Sequence, residues 1–122
     1  MELSVSVDKH KNRLTVVGRG LWSLKYVTDH FREFEAALFK ARSAQRASTT
    51  LVDLREAAVQ SPEVAAYVHG KIVEIYCPPE RAVLVVNSQL VKMQMGRGLD
   101  PATHAVFLTL EEAEGWLNSL ER

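Results

Sequence analysis

The sequence predicts an α/β protein: one mixed, mostly parallel five-stranded sheet with about four helices, in a single domain over residues 1–122. Three observations support this. Apolar and polar residues alternate in the first strand-like segment, the apolar spacing then changes to 3.6 residues, and strand-like and helix-like segments alternate to the end of the chain. A hairpin followed by such alternation requires helical crossovers, which produce parallel strands and one antiparallel edge strand.

The first two strands form the predicted hairpin. Leu3, Val5 and Val7 alternate with polar residues, which is typical of a strand buried on one face. The polar segment 8–12 follows as a loop, and the apolar segment 14–20 is a second strand that ends in glycines. The short connection favours antiparallel pairing of the two strands.

The first helix is predicted from one apolar stripe, with Ser23, Thr28 or Asp29 as its candidate N-cap and its end near Ala44. Residues of the stripe recur every three or four positions: Val27, Phe31, Phe34, Leu38 and Ala41.

A third strand over 49–54 precedes the second helix. The helix start is indicated by Ser61, Pro62 and Glu63, because serine caps free N–H groups, proline suits the first turn and glutamate favours the positive dipole end. The apolar stripe of this helix consists of Val64, Val68, Ile72 and Ile75, and the prolines at 78–79 prevent its continuation.

The segment 82–86 is continuously apolar and β-branched, which indicates a strand covered on both faces. Ser88 begins a short helix that glycines at 96 and 98 end, and a fifth strand follows at 105–108. Thr109 and Glu112 form a capping box for the last helix. The predicted buried stripe of that helix is Ala113, Trp116, Leu117 and Leu120.

Composition excludes several classes of protein. The 47% apolar content disfavours intrinsic disorder, and a chain of 122 residues buries roughly two-thirds of its unfolded surface. Fifteen basic and fifteen acidic side chains give zero net charge, so no nucleic-acid partner driven by bulk charge is expected.

The two halves of the chain differ in charge. Residues 1–61 carry ten basic and seven acidic side chains, and residues 62–122 carry five basic and eight acidic side chains. This asymmetry predicts salt-sensitive pairing with a second copy.

The cellular compartment is predicted from what the sequence lacks. The first residues form no apolar core of a signal peptide, and no apolar run has the length of a transmembrane segment. Cys77 is the only cysteine, so no intramolecular disulfide is possible. A cytoplasmic location is therefore expected.

Three passages resemble the SpoIIAA-like superfamily: the strand 50–54 ending in Asp-Leu, the buried strand 81–86 entered through arginine, and the segment 105–117 with its EEA and WL pairs. This superfamily includes STAS domains and the lipid-binding CRAL-TRIO-type relatives. The chain looks most like the short, uncharacterised bacterial STAS-like proteins. The resemblance implies a SpoIIAA-like fold and a function in protein contacts, with lipid binding as the alternative.

One segment departs from the pattern of the resembled family. Phosphorylated STAS regulators carry Asp-Ser-Ser-Gly or a similar motif where this chain has residues 59–63. Ser61 falls at the position of the motif's aspartate, and Pro62 and Glu63 replace the phosphorylatable pair, which disfavours a phosphoswitch. Ser61 is either a phospho-acceptor or, more simply, an N-cap. Asp53, Ser61 and Glu63 are the candidates for a regulatory loop that faces a partner.

No catalytic or metal site is predicted. The four histidines do not have the sequence spacing that metal ligands require. They lie at positions 10, 30, 69 and 104 and are interpreted as solvated or locally hydrogen-bonded. Neither glycine pair belongs to a nucleotide-binding loop, so no cofactor is expected. Asp53 lies where α/β sheets place catalytic groups, but an ion pair with Arg55 is the simpler interpretation. A hydrolase-like activity near Asp53 is the minor alternative.

Two further groups of residues suggest binding. Trp22, Tyr26, Met93 and Met95 could line an adaptable apolar pocket, or they could simply cover the core. The basic hairpin loop over 9–13 could dock to acidic lipid or protein surfaces, or it could be a solubilising edge turn.

The sequence thus predicts a non-enzymatic STAS-like regulatory or protein-interaction module. Its expected partner is another protein or a second copy in a homodimer. The alternative is a protein that binds lipid or another small apolar ligand.

Overall fold

The computed structural model describes residues 2–44 and 46–119, and its nine elements follow the predicted order. They are β1 (Glu2–Asp8), β2 (Arg13–Gly20), α1 (Leu24–Ala41), β3 (Thr49–Ala57), α2 (Pro62–Glu74), β4 (Arg81–Val85), α3 (Gln89–Gly96), β5 (His104–Phe107) and α4 (Leu110–Ser119). Leu120, predicted in the last stripe, lies outside the described residues.

The five strands form one sheet in the order β1-β2-β3-β4-β5. β1 pairs antiparallel with β2, and the other three pairings are parallel. The predicted mixed, mostly parallel sheet is therefore confirmed. The carboxyl ends of β2 to β5 consequently share one edge of the sheet, the carboxyl edge, and their first residues share the amino edge.

Helices cover both faces of the sheet. Side chains of α1 and α2 pack with those of β2, β3 and β4 in the main core, which contains four residues of the α1 stripe together with Leu14, Val16, Val52, Ile72 and Leu84. All five residues of the predicted α1 stripe are buried. On the other face, Ala113 and Leu117 of α4 pack against Leu51, Val83 and Val85. β4 is thus covered on both sides, as its continuous apolar sequence predicts.

Element ends differ from the prediction where tertiary contacts decide them. β3 continues to Ala57 because Glu56 and Ala57 pair with the last residues of β2, beyond a register shift. α1 ends at Ala41, three residues before the predicted Ala44. Of the three candidate caps for α1, Ser23 is the N-cap, and its hydroxyl accepts from the Tyr26 N–H at 3.1 Å.

The prediction that the histidines are solvated or locally hydrogen-bonded is wrong for His30, whose buried Nδ1 has no hydrogen-bond partner among residues 2–44 and 46–119, but it holds for His104, whose Nδ1 lies 2.8 Å from Thr103 Oγ1. His30 and His104 are buried, at 7% and 6% exposure, because their elements pack these positions against the core. Burial lowers the pKa of both imidazoles, since the charged form loses its hydration. Among residues 2–44 and 46–119, no group of three histidine, cysteine or carboxylate side chains could hold a metal ion.

Within the same described ranges, none of the helices combines the length and the apolar character needed to cross a lipid bilayer.

Candidate functional site

A groove of about 310 Å³ lies at the carboxyl edge of the sheet, between the loops that follow β3 and β4 and the helices α2 and α3. We call it the carboxyl-edge groove. Most of its wall is apolar, and its larger side chains are Trp22, Leu54, Val59, Val68, Val86, Val91 and Met95. This edge is where open α/β sheets usually bind ligands.

Trp22 anchors one end of the groove, in the loop between β2 and α1. Its indole N–H donates to the carbonyls of Arg19, at 2.9 Å, and Glu2, at 3.2 Å, and the residue is 5% exposed. Gly18 provides the space for the ring, since a Cβ at that position would lie 2.8 Å from Trp22 Cζ2 and from Leu54 Cδ2.

Two amide side chains hold the loops around the groove. Gln60 accepts from the Trp22 N–H at 2.8 Å and donates from Nε2 to the carbonyls of Gly20 and Ala58. Asn87 Nδ2 donates to the Arg55 carbonyl at 3.0 Å. Sequence reasoning missed both amides. Their only signal in the sequence is that each lies in the loop within three residues of the end of a strand.

Ser61 caps α2 beside the groove. Its hydroxyl accepts from the Val64 N–H at 3.3 Å, Pro62 occupies the first helical position, and the exposed Glu63 follows in the first turn. This is the N-cap arrangement that the sequence suggests. Glu63 supplies a fixed negative charge at the positive end of the helix dipole.

Replacing Ser61 with alanine is expected to lower the free energy of unfolding by about 1 kcal/mol, because an N–H at the start of α2 loses its acceptor. Ser61→Asp should leave stability nearly unchanged, since aspartate caps as well as serine. Urea denaturation measures both. Ser4→Ala, at an exposed position of β1, is the control and should change stability by less than about 0.5 kcal/mol. Equal stability of the Ser61→Ala variant and the parent would contradict the cap.

Asp53 lies apart from the α2 cap. It shares a sheet face with Leu51, which packs under α4, whereas Val52 and Leu54 face α1 and α2. Its carboxylate accepts from Arg55 Nε at 2.9 Å and Nη2 at 3.0 Å. The side-chain hydrogen bond with Arg55 lowers the pKa of Asp53, so the carboxylate stays ionised. The ion pair suggested by the sequence is present, and Asp53 does not join Ser61 and Glu63 in one site.

Of the four candidates for apolar-ligand binding, the structure brings two into the groove, Trp22 and Met95. The Tyr26 hydroxyl accepts from the Leu3 N–H at 3.2 Å, and its ring packs against the small core around Trp22. Met93 lies on α3 with 59% of its surface exposed and does not line the groove.

Exposed apolar side chains are concentrated at the carboxyl edge. Among the described residues, nine large hydrophobic side chains are exposed, and six of them follow the carboxyl ends of β2 to β5. The six are Leu21, Leu24, Val59, Leu90, Met93 and Leu108. Val59 is 91% exposed. A concentration of this kind is typical of a surface that meets another molecule.

No family model matches the chain, and no curated protein sequence matches it. Two solved structures are similar over nearly the whole of both chains. One is an uncharacterized protein of the DUF3478 family from Shewanella loihica PV-4, described as having a SpoIIAA-like fold, with 16% identity and a TM-score of 0.65. That match covers 95% of this chain and 92% of the other.

The second similar structure is the anti-sigma factor antagonist SpoIIAA in its unphosphorylated form, with 14% identity and a TM-score of 0.66. The match covers 96% of this chain and 98% of the other. At these identities the comparisons concern the fold, and they agree with the element order, the sheet and the resemblance drawn from the sequence. The chain therefore has the SpoIIAA-like fold.

Proposed function

We propose that this protein is a non-enzymatic, STAS-like regulatory module that binds a protein partner through its carboxyl edge. The observation that carries the proposal is the concentration of exposed apolar side chains at the carboxyl edge, one of which, Val59, lines the groove. A structural neighbour named as an anti-sigma factor antagonist supports a function in protein contacts. The cytoplasmic location expected from the sequence stays a prediction.

The carboxyl edge has the physical properties that a partner surface needs. Val59 and Leu90 are 91% and 65% exposed, so a partner that covers them removes most of their surface from water. Complete burial of such a side chain is worth about 1.5–3 kcal/mol. Because Gln60 and Asn87 already tie the surrounding loops together, little ordering is needed on binding.

Binding in this proposal does not depend on phosphorylation of the α2 cap. Ser61 already serves the first turn as a hydrogen-bond acceptor, and Glu63 carries a permanent charge next to it. The partner therefore meets a surface of constant charge at this point.

The test compares two double variants of the same charge. Val59→Asp with Leu90→Asp, the groove variant, places one carboxylate in the groove wall and one at the start of α3 on the carboxyl edge. Phe39→Asp with Val73→Asp, the control variant, places them on exposed apolar positions of α1 and α2, away from the groove. Each tagged protein is used to capture partners from its own cells, with quantitative mass spectrometry as the readout. We expect the groove variant to lose its partner by at least about tenfold, since 1.4 kcal/mol corresponds to a factor of ten.

The control variant should capture the same partner as the parent protein. Retention of the partner by the groove variant, or equal loss in both variants, would refute the proposal. Circular dichroism checks that all variants are folded. Light scattering of the parent protein tells whether the partner is a second copy, and a dependence on salt concentration tests the charge asymmetry predicted from the sequence.

The apolar-ligand or lipid alternative rests on the volume of the groove, which is at the lower end of the roughly 300–1,000 Å³ of small-molecule pockets. Native mass spectrometry of the purified protein separates the two functions. The partner-binding proposal predicts a mass equal to that of one chain, or of two chains if the partner is a second copy, with no added small molecule. A bound apolar molecule that Met95→Asp removes would favour the alternative.

A further inference from the structure

A second cavity, of about 360 Å³, lies at the opposite end of the sheet, and we call it the amino-edge pocket. Three of its lining residues are cationic: Lys11 in the hairpin loop, Arg46 in the loop after α1, and Arg81 at the start of β4. None of its lining residues is acidic. Three positive charges around one small cavity suit an anion.

The frame of the amino-edge pocket is rigid, although its parts are distant in sequence. Thr49 and Arg81 begin neighbouring strands and are partners in the β3–β4 register. Asn12 is buried in the left-handed conformation, with a φ of 53°, and its Nδ2 donates to the carbonyls of Ala41, at 3.0 Å, and Arg46, at 2.6 Å. The Thr49 N–H donates to the Asn12 carbonyl at 3.1 Å. Asn12 thereby holds the hairpin against the loop that carries Arg46.

Ser48 gives an independent indication of a ligand. It lines the pocket and is 2% exposed, yet its buried hydroxyl oxygen has no hydrogen-bond partner among residues 2–44 and 46–119. Buried polar groups are almost always hydrogen-bonded, so such a hydroxyl needs an explanation. The oxygen is closed off from the pocket in this rotamer, so rotation about χ1 is needed before an oxygen of a bound anion can become its partner.

The carboxylates nearest in sequence to the basic residues, Asp8 and Glu80, do not line the pocket. The Asp8 carboxylate accepts from the backbone N–H groups of His10 and Lys11. Glu80 is buried against Arg42, with Arg42 Nε 2.6 Å from its Oε2. Arg81 Nη1 donates to the carbonyls of Pro79, at 2.8 Å, and Glu80, at 3.1 Å, which fixes the orientation of its guanidinium.

We propose that the amino-edge pocket binds the phosphate group of a phosphate monoester. Such a group carries nearly two negative charges and three acceptor oxygens, which match two guanidiniums, one ammonium and one hydroxyl donor. Arginine is especially suited to phosphate because its donors form a planar fork. The pocket lies at the amino edge and the partner surface at the carboxyl edge, so the two proposals are independent.

Isothermal titration of the full chain with inorganic phosphate, against chloride at equal ionic strength, tests the site. We expect phosphate to bind, and Arg46→Gln with Arg81→Gln to weaken it by at least about tenfold, because charge-assisted hydrogen bonds are lost. Ser48→Ala should weaken binding a few-fold without lowering stability, since its hydroxyl has no described partner to lose. Lys9→Gln is the charge-matched control for Arg46→Gln alone, because Lys9 lies in the hairpin loop with Lys11 but does not line the pocket.

Equal weakening by Lys9→Gln would refute the proposal, because general surface charge would then explain the binding. The absence of any heat beyond chloride would refute it as well. If Arg81→Gln disturbs folding, the exposed Arg46 provides the test alone. Val59→Asp with Leu90→Asp should keep phosphate binding, which separates this result from the partner test.

Vesicles of phosphatidylcholine with or without phosphatidic acid distinguish the source of the monoester. Sedimentation with the acidic vesicles that Arg46→Gln abolishes identifies a lipid headgroup. Phosphate binding without sedimentation identifies a soluble molecule. Sedimentation that survives Arg46→Gln with Arg81→Gln would contradict the proposed site.

Discussion

Replacing Trp22 with alanine is expected to lower the free energy of unfolding by about 3–5 kcal/mol, the usual range for removing a buried aromatic ring. The ring is 5% exposed, and it packs with Val27 and Val64 in a separate small core. Gly18 leaves space for the ring, and no side chain at that position can refill the cavity. Urea denaturation followed by circular dichroism measures the change.

Two further variants separate the contributions of Trp22. Trp22→Phe keeps most of the ring but removes the N–H that donates to the Arg19 and Glu2 carbonyls, so a loss of about 1–2 kcal/mol is expected. Met93→Ala changes an exposed neighbour on α3 and should alter stability by less than about 0.5 kcal/mol. A loss for Trp22→Ala no larger than that for Met93→Ala would contradict the packing described here.

The second large effect is expected at Glu80, whose replacement by alanine should cost about 3 kcal/mol of stability. The carboxylate is 6% exposed and accepts from Arg42 Nε and Nη2, at 2.6 and 3.0 Å, and from the Cys77 N–H at 2.8 Å. One side chain therefore joins the end of α1 to the turn before β4. Its removal leaves the Cys77 N–H without this acceptor and Arg42 without its counter-charge.

The matched comparison for Glu80 is an exposed ion pair on the same protein. Lys25 and Asp29 form an i, i+4 pair on α1 at 2.9 Å, with side chains 86% and 46% exposed. Asp29→Ala should therefore cost less than about 1 kcal/mol. Glu80→Gln should fall between the two, because the amide oxygen can still accept from the Cys77 N–H. Similar losses for Glu80→Ala and Asp29→Ala would show that burial does not strengthen the pair.

Local patterns account for what the sequence predicts well. The stripe of α1 and the Ser61 cap are found in the structure, and Thr109 Oγ1 accepts from the Glu112 N–H as a capping box requires. The Glu112 carboxylate accepts from the Thr109 hydroxyl rather than from its backbone N–H, so the predicted box is formed only in part. Each of these features depends on residues within one or two turns, so spacing alone is enough to indicate it. β3 is longer than predicted because Glu56 and Ala57 are held by pairing with β2, a contact that their own polar surroundings do not indicate.

The sequence predicts the residues of the candidate site less well than the elements of the fold. Asp53 and Ser61 lie eight positions apart, yet strand alternation turns Asp53 toward the α4 side while Ser61 caps a helix on the other face. Trp22 and Met95 come together in the groove, whereas Tyr26 is directed to the β1 backbone. The roles of Gln60 and Asn87 depend on which loops become neighbours, and no local pattern encodes this.

The charge distribution also has one part that the sequence predicts and another that depends on the tertiary structure. The sequence by itself determines that the first half of the chain is basic and the second half acidic. It also predicts the element order, the caps and the SpoIIAA-like resemblance. Only the tertiary structure places Arg81, from the acidic half, beside Lys11 and Arg46 in one basic pocket, with the exposed apolar residues at the opposite edge. The physical reason is that parallel crossovers gather the starts of successive strands at one edge and their ends at the other. Surface chemistry is therefore sorted by the direction of the strands rather than by position along the chain.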